Sequence, residues 1–312
     1  PLIALDDGAR VFVEELSSGA HSATETVVGG PIRAESLSAR TKAASPSPSL
    51  RIDSRLMPFL VDHSVKGVPV LPAVFALDMM IAAAEKLSGE KVVTVRDLRV
   101  LRGVRLAHFD NGGDELDVRL SRSGTTFDAA LFVRGEPAPR YRATLVVDSA
   151  LPNATVDARP NGPRVPVSVS ALYGDGPLFH GKSFELLENV ESVGNTLVAR
   201  AKGLLRSGWN AAFVVDTAAL DAALQLALVY ATREVGGRFL PTSVATLVRT
   251  AASLDVTESV TLVLVPKNVE STRVVCDIAV LDAENRTLVR MEGVEVHRLP
   301  DDGTRATIIA EA

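Results

Sequence analysis

The chain has 312 residues, 46% of them hydrophobic and 23% charged, and carries a net charge of −5. This is the profile of an ordinary globular protein with a sizeable core, in two domains or one large one. No run of Lys or Arg offers a track for nucleic acid, and the longest apolar stretch, near residues 68–84, is interrupted by Asp78 and too short to cross a bilayer. No signal peptide is evident.

Residues 1–46 read as a linker or the remnant of an upstream domain. Val11–Leu16 has the character of a short helix and Thr24–Val28 that of a short strand, and the Pro/Ser run over residues 43–49 is a linker signal. The absence of Met at position 1 fits a piece cut from a longer chain, and fits simple Met removal equally well. From about residue 47 to 150 the pattern is strands plus one helix. That helix, Pro72–Leu87, opens on a proline and is apolar around nearly its whole circumference, so it should be buried. Strand-like runs follow at Val92–Val95, Gly103–Ala107, Glu115–Leu120, Phe127–Val133 and Tyr141–Val147. Residues 151–166 contain four prolines and read as a linker.

The same order then recurs over residues 167–300, before a short tail at 301–312. Strand-like segments at Val167–Leu172, Val190–Val193 and Thr196–Ala201 precede a second nearly all-apolar helix, Thr217–Ala231. Further strands follow at Ser259–Val265, Arg273–Leu281 and Thr287–His297. The one cysteine, Cys276, sits in the Arg273–Leu281 strand, where it reads as a buried structural thiol. A single cysteine forms no internal disulfide, which points to a reducing, cytoplasmic setting. A helix apolar on all sides must be wrapped, and a curved antiparallel sheet around one long helix does so. The expected class is α+β: a hot-dog fold, present twice.

Three segments could carry chemistry. In DHSVKGVPVLP, His63, Gly67 and Pro72 have the spacing H-x3-G-x4-P directly before the first buried helix. Gly67 can let the backbone approach a ligand, and N–H groups near the helix start can hold a developing oxyanion. The alternative for His63 is a loop histidine satisfied by hydrogen bonds. In LDAALQ, Asp221 and Gln225 are the strongly polar residues of an apolar helix, at i and i+4 on one face. A carboxyl among apolar groups should have a raised pKa and stay protonated, with Gln225 orienting it. The alternative is that both reach a solvated edge. Asp216 fits a helix N-cap better than a site. In LFHGKSF, Phe179, His180, Gly181 and Phe184 suggest a turn beside a pocket, His180 in a supporting role. No Cys/His set has zinc spacing, and no P-loop, G-x-S-x-G or H-E-x-x-H motif is present. His21, His108 and His297 are assigned no role.

These segments resemble a known family. DHSVKGVPVLP looks like the H-x3-G-x4-P motif of dehydratase domains from polyketide synthases and polyunsaturated fatty acid synthases. LDAALQ looks like the family's D-x3-Q/H motif. FHGKSF is similar to its Y-G-P-x-F segment, with His180 where Tyr is usual and Lys182 where Pro is usual, and Leu240–Ser243 is similar to its L-P-x-S stretch.

The resemblance implies a double hot-dog with one composite site, His63 from the first half and Asp221 from the second. It implies a 3-hydroxyacyl thioester that loses water to give a 2-enoyl thioester. It implies no cofactor of the chain's own, because the phosphopantetheine arm arrives with an acyl carrier protein. Neighbouring synthase domains and a homodimer are the other expected partners, and neither a nucleic acid nor a membrane is. Neutral His63 would take the α-proton, N–H groups near Gly67 and the helix start would hold the enolate oxygen, and Asp221 would protonate the leaving hydroxyl. A hot-dog thioesterase, an enoyl isomerase and a catalytically silent structural module are the readings left open.

Overall fold

The computed structural model describes residues 49–157, 159–174, 176–254 and 256–299. The elements expected at 11–16 and 24–28, the remnant reading of residues 1–46, the tail at 301–312 and His21 lie outside the described residues.

Two long helices organise everything else. Helix α1 is Ala73–Ser88, with Pro72 at its N-cap and Gly89, at φ +74°, ending it by donating its N–H to the Glu85 carbonyl. Val74 to Ile81 are buried without a break, Asp78 included. Helix α2 is Thr217–Val235, and its buried run extends from Thr217 to Ala231. Asp216 caps α2, its Oδ1 accepting the Ala219 N–H at 2.9 Å, so its assignment as a cap holds.

The strands are β1 (Ser49–Ile52), β2 (Ser64–Val65), β3 (Val68–Pro69), β4 (Lys91–Val100), β5 (Asp114–Ser123), β6 (Thr126–Val133) and β7 (Tyr141–Asp148) in the first half. The second half has β8 (Arg164–Val167), β9 (Leu187–Val193), β10 (Thr196–Lys202), β11 (Phe239–Arg249), β12 (Ser259–Val269), β13 (Arg273–Leu281) and β14 (Thr287–Arg298). All but the β2–β3 hairpin join one antiparallel sheet of 12 strands. Its order is β1-β5-β6-β7-β4-β11-β14-β13-β12-β10-β9-β8. Read outward from the β4–β11 pair, β4-β7-β6-β5-β1 and β11-β14-β13-β12-β10 are one sequence of steps taken twice. In each copy the helix comes just before the strand at the seam. The chain is therefore a double hot-dog, its halves joined edge to edge through equivalent strands. Along β7, buried Tyr141, Ala143, Leu145 and Val147 alternate with less buried residues, as a sheet with one face on a helix requires.

Several elements differ from the sequence reading. Residues 103–107 form no strand of the sheet. They lie against the β2–β3 segment through an isolated Val70–Arg105 bridge, with the Leu71 N–H bonded to the Val104 carbonyl. The run begun at Val167 stops there and turns as a short 3-10 helix at Val169–Ala171, whereas Arg164–Val167, partly inside the expected linker, is strand β8. Strand β11 was not expected because Pro241 interrupts it. The structure tolerates this proline because β4 pairs with β11 only from Ser243 onward and the register shifts between Pro241 and Ser243. Cys276 is fully buried, and burial pushes its thiol up to about 12.

Polar bonds cross the seam. The Arg249 side chain on β11 is 1% exposed, and its Nη1 donates to Glu85 Oε1 on α1 at 2.7 Å and to the Val92 carbonyl on β4 at 3.0 Å. Burial alone would raise the Glu85 pKa, but Arg249 and the Val92 N–H bring it below the ordinary glutamate value. Asp78 Oδ1 accepts the N–H groups of Val214 and Val215, at 2.8 and 3.0 Å, tying α1 to the segment leading into α2. Removing one member of a buried pair strands the other charge. Glu85→Gln is expected to destabilise the fold by about 3 kcal/mol in urea titration, with Glu85→Gln/Arg249→Met recovering most of the loss.

Candidate active site

His63 follows a short 3-10 turn, Pro58–Asp62, and begins the β2–β3 hairpin. Its own N–H goes to the Leu60 carbonyl, and its carbonyl accepts the Val70 N–H, so the hairpin closes on it. The imidazole Nδ1 lies 2.6 Å from the Val70 carbonyl oxygen. A carbonyl only accepts, so Nδ1 carries the hydrogen and Nε2 is left as a bare base. The side chain is buried, and that burial, partly offset by the Val70 bond, lowers its pKa to about 4. His63 is therefore neutral at pH 7.

Asp221 stands one turn into α2 and is 5% exposed. Burial pushes its pKa up to about 7, against the lowering effect of Gln225. Gln225 Nε2 donates to Asp221 Oδ2 at 2.8 Å and to the Phe184 carbonyl at 3.0 Å. Its Oε1 accepts from the Tyr173 hydroxyl at 2.9 Å, and that hydroxyl accepts the Leu187 N–H at 3.0 Å. The tyrosine fixes which way the amide points, and the amide occupies Oδ2, leaving Oδ1 for the acidic proton. Tyr173 is a member of this hydrogen-bonded set that the sequence reading missed.

His63 and Asp221 line one cavity of about 260 Å³. The first half contributes Val65, Leu71, Val100 and Tyr141 to its wall, and the second half Phe179, His180, Leu224, Leu228 and Thr242. The wall is overwhelmingly apolar, so each ionisable group is shifted by its own burial rather than by the charge of the other. The two shifts run in opposite senses, so between about pH 4 and about pH 7 a neutral imidazole and a protonated carboxyl share one space.

Other candidate residues are placed differently. Gly67 is outside the cavity wall, at the exposed tip of the hairpin with φ +74°, beside Lys66 at φ +51°. It serves the tight turn, and a side-chain carbon there would meet nothing within 4 Å, so its left-handed backbone rather than crowding by the protein asks for glycine. Pro72 is the buried N-cap of α1, behind the wall formed by Leu71 and Ala73. The N–H groups of Val70 and Leu71 are already bonded to the carbonyls of His63 and Val104. In the first turn of α1, helix geometry leaves the N–H groups of Ala73 and Val74 without an acceptor.

Phe179 and His180 do line the cavity, but Gly181 and Phe184 do not. Phe184 packs behind His63 at 5.1 Å between ring centroids, next to Trp209 at 4.6 Å. Gly181 is required by space. Its N–H bonds the Asp62 carbonyl at 2.7 Å, and a side-chain carbon would lie 2.5 Å from Asp62 Oδ1. Asp62 Oδ2 also accepts the Ser183 N–H at 2.8 Å, so the residue before His63 clamps the second half's FHGKSF segment. Of the histidines assigned no role, His108 pairs with Asp114 away from the cavity, whereas His297 does reach its wall beside Thr242.

Comparison with known proteins bears on this arrangement. The family described as "Polyketide synthase dehydratase N-terminal domain" matches residues 150–306, and "Polyketide synthase dehydratase domain" matches residues 37–132. A polyunsaturated fatty acid synthase of Thraustochytrium sp. has a subunit that is 30% identical over 213 residues, which is 64% of this chain and 8% of that protein. The chain thus spans only a small part of that curated relative.

Solved structures share the fold. The dehydratase domain of a mycocerosic acid synthase-like polyketide synthase has a TM-score of 0.66 at 22% identity, covering 81% of this chain and 90% of that one. The dehydratase domain of PpsC from Mycobacterium tuberculosis, in complex with C12:1-CoA, has a TM-score of 0.65 at 18% identity, with 80% and 92% covered. The dehydratase domain from the CurF module of curacin polyketide synthase has a TM-score of 0.63 at 15% identity, with 80% and 91% covered. With a family match over half of its length and a double hot-dog shared with solved dehydratase domains, the chain belongs to the polyketide synthase dehydratase family.

Proposed function

We propose that His63 and Asp221 are the base and the acid with which this dehydratase removes water from a 3-hydroxyacyl thioester. The observation that carries the reading is the pairing, in one apolar cavity, of a neutral imidazole with a bare Nε2 and a carboxyl held protonated. His63 Nε2 takes the α-proton. The electron pair released forms the double bond between the α and β carbons as the β-carbon–oxygen bond breaks. Asp221 Oδ1 gives its proton to the departing hydroxyl, which leaves as water. The cycle ends with His63 protonated and Asp221 ionised, and one proton passed from the first to the second through solvent resets both. Gln225, fixed by Tyr173 and the Phe184 carbonyl, keeps the acid oriented.

On this reading the acyl group is carried on the phosphopantetheine arm of an acyl carrier protein, and the site needs no cofactor of its own. Neighbouring synthase domains supply the 3-hydroxyacyl group and consume the enoyl product, in a cytoplasmic synthase that works as a homodimer. The identity to part of a polyunsaturated fatty acid synthase supports a synthase of that kind.

The test is incubation of the chain with a 3-hydroxyacyl pantetheine thioester, with the acyl mass followed. Loss of one water by wild type is expected, with turnover falling by about 10²- to 10⁴-fold in His63→Ala and in Asp221→Asn. Release of free acid would instead indicate a thioesterase, a shifted double bond without loss of mass an isomerase, and no change a silent module.

The pH profile follows from the two shifts. Activity needs neutral His63 and protonated Asp221. We therefore expect kcat/KM to be level between about pH 4 and about pH 7. It should fall below that range as His63 takes up a proton and above it as Asp221 loses one. Initial rates in overlapping buffers measure both limbs.

A further inference from the structure

The reaction described above leaves His180 without a task. His180 is 5% exposed and forms part of the wall that holds His63 and Asp221. Its Nδ1 is sealed from solvent and has no hydrogen-bond partner. That atom therefore does not face the cavity, and the neutral ring carries its hydrogen on Nε2, the nitrogen left to meet a substrate. The ring is not loosely held. It stacks on Phe179 with centroids 4.3 Å apart and planes 22° apart. The next residue, Gly181, is bonded to Asp62, and so is Ser183, so His180 is fixed relative to His63, which follows Asp62 in the chain.

Its position within the cavity selects its role. The His180 ring lies 5.2 Å from that of His63, centroid to centroid. His180 therefore stands beside the group that takes the α-proton on the dehydratase reading. One bond from the α-carbon is the thioester carbonyl, whose oxygen gains negative charge as the proton departs. Of the backbone donors in the stretch after His63, the N–H groups of Val70 and Leu71 are already committed and those of Ala73 and Val74 remain, so a side-chain donor would add to these two. Burial, with the charge that His63 acquires on protonation, keeps His180 neutral by pushing its pKa well below the ordinary value. A neutral imidazole has one N–H to give and can act as an electrophile towards a developing enolate.

We infer that His180 is a further catalytic residue, donating a hydrogen bond to the thioester carbonyl oxygen as the enolate develops. The inference rests on the dehydratase reading and assigns the carbonyl, as distinct from the hydroxyl, to this side chain. Two substrates separate these roles. A 3-hydroxyacyl pantetheine thioester needs both enolate stabilisation and a proton for its leaving group. The 3-fluoroacyl analogue loses the same α-proton but expels fluoride, which needs no proton from Asp221.

His180→Phe, which keeps the stacking and removes the N–H, is expected to lower kcat by about 10²-fold on both substrates with KM little changed. Asp221→Asn is expected to lose only the release of water. His180→Gln, which returns an N–H, should recover at least about tenfold over His180→Phe on both substrates. Fluoride release at the wild-type rate in His180→Phe overturns the assignment to the carbonyl. Equal losses in His180→Phe and His180→Gln overturn it too, because they make the ring a packing element. A wild-type chain that releases neither water nor fluoride overturns the dehydratase reading itself, and this assignment with it.

Discussion

The pairing of β4 with β11 is the contact on which the site depends. These are equivalent strands of the two copies, they run antiparallel, and each follows the buried helix of its own half. Neither half holds both chemical groups. The first offers an imidazole on a hairpin at the start of α1, and the second a carboxyl on α2. Only the seam turns two incomplete copies into one cavity wall. Bonds across it support the arrangement, notably Arg249 with Glu85, Asp78 with the Val214 and Val215 N–H groups, and Asp62 with Ser183. Each joins residues far apart in sequence, so the site exists only once the whole tandem has folded.

Burial then does the electrostatic work. The same loss of water that makes an imidazolium unfavourable makes a carboxylate unfavourable, so one environment leaves one group deprotonated and the other protonated. No charged neighbour is needed for either shift. What hydrogen bonds add is direction. The Val70 carbonyl selects the tautomer of His63, and the path from the Leu187 N–H through Tyr173 to Gln225 selects the oxygen of Asp221 that meets the amide. Such a path is effective because every member is satisfied, which confines each side chain to one orientation.

The parts of this arrangement that could be read in the sequence are those written in local pattern. Both helices announced themselves because their apolar residues cover all faces, and His63 and Asp221 because each stands in a short motif at the start of, or within, such a helix. The parts that could not be read are set by contacts distant in sequence or made to backbone. Nothing in the residues near Tyr173 says that its hydroxyl will meet Gln225, 52 positions away. Gly181 is a glycine because the Asp62 side chain fills the space where its side-chain carbon would be, a fact visible only after the halves meet. Gly67 carries a demand that its motif does not show, because the hairpin needs it for a left-handed turn. Strand β11 was hidden by Pro241, which is harmless because it lies where β4 has yet to join.

The burial of Cys276 has a practical side. It is the chain's one cysteine, sealed between strands, and its thiol is a poor nucleophile at neutral pH because the thiolate would be stranded in an apolar core. Reagents that alkylate thiols will pass it by while the fold is intact. The protein thus offers a silent background for attaching a fluorophore or spin label at a single introduced cysteine. Exposed Lys66, at the hairpin tip next to cavity-lining Val65, is a natural place to put one. A probe there would report on the hairpin that carries His63.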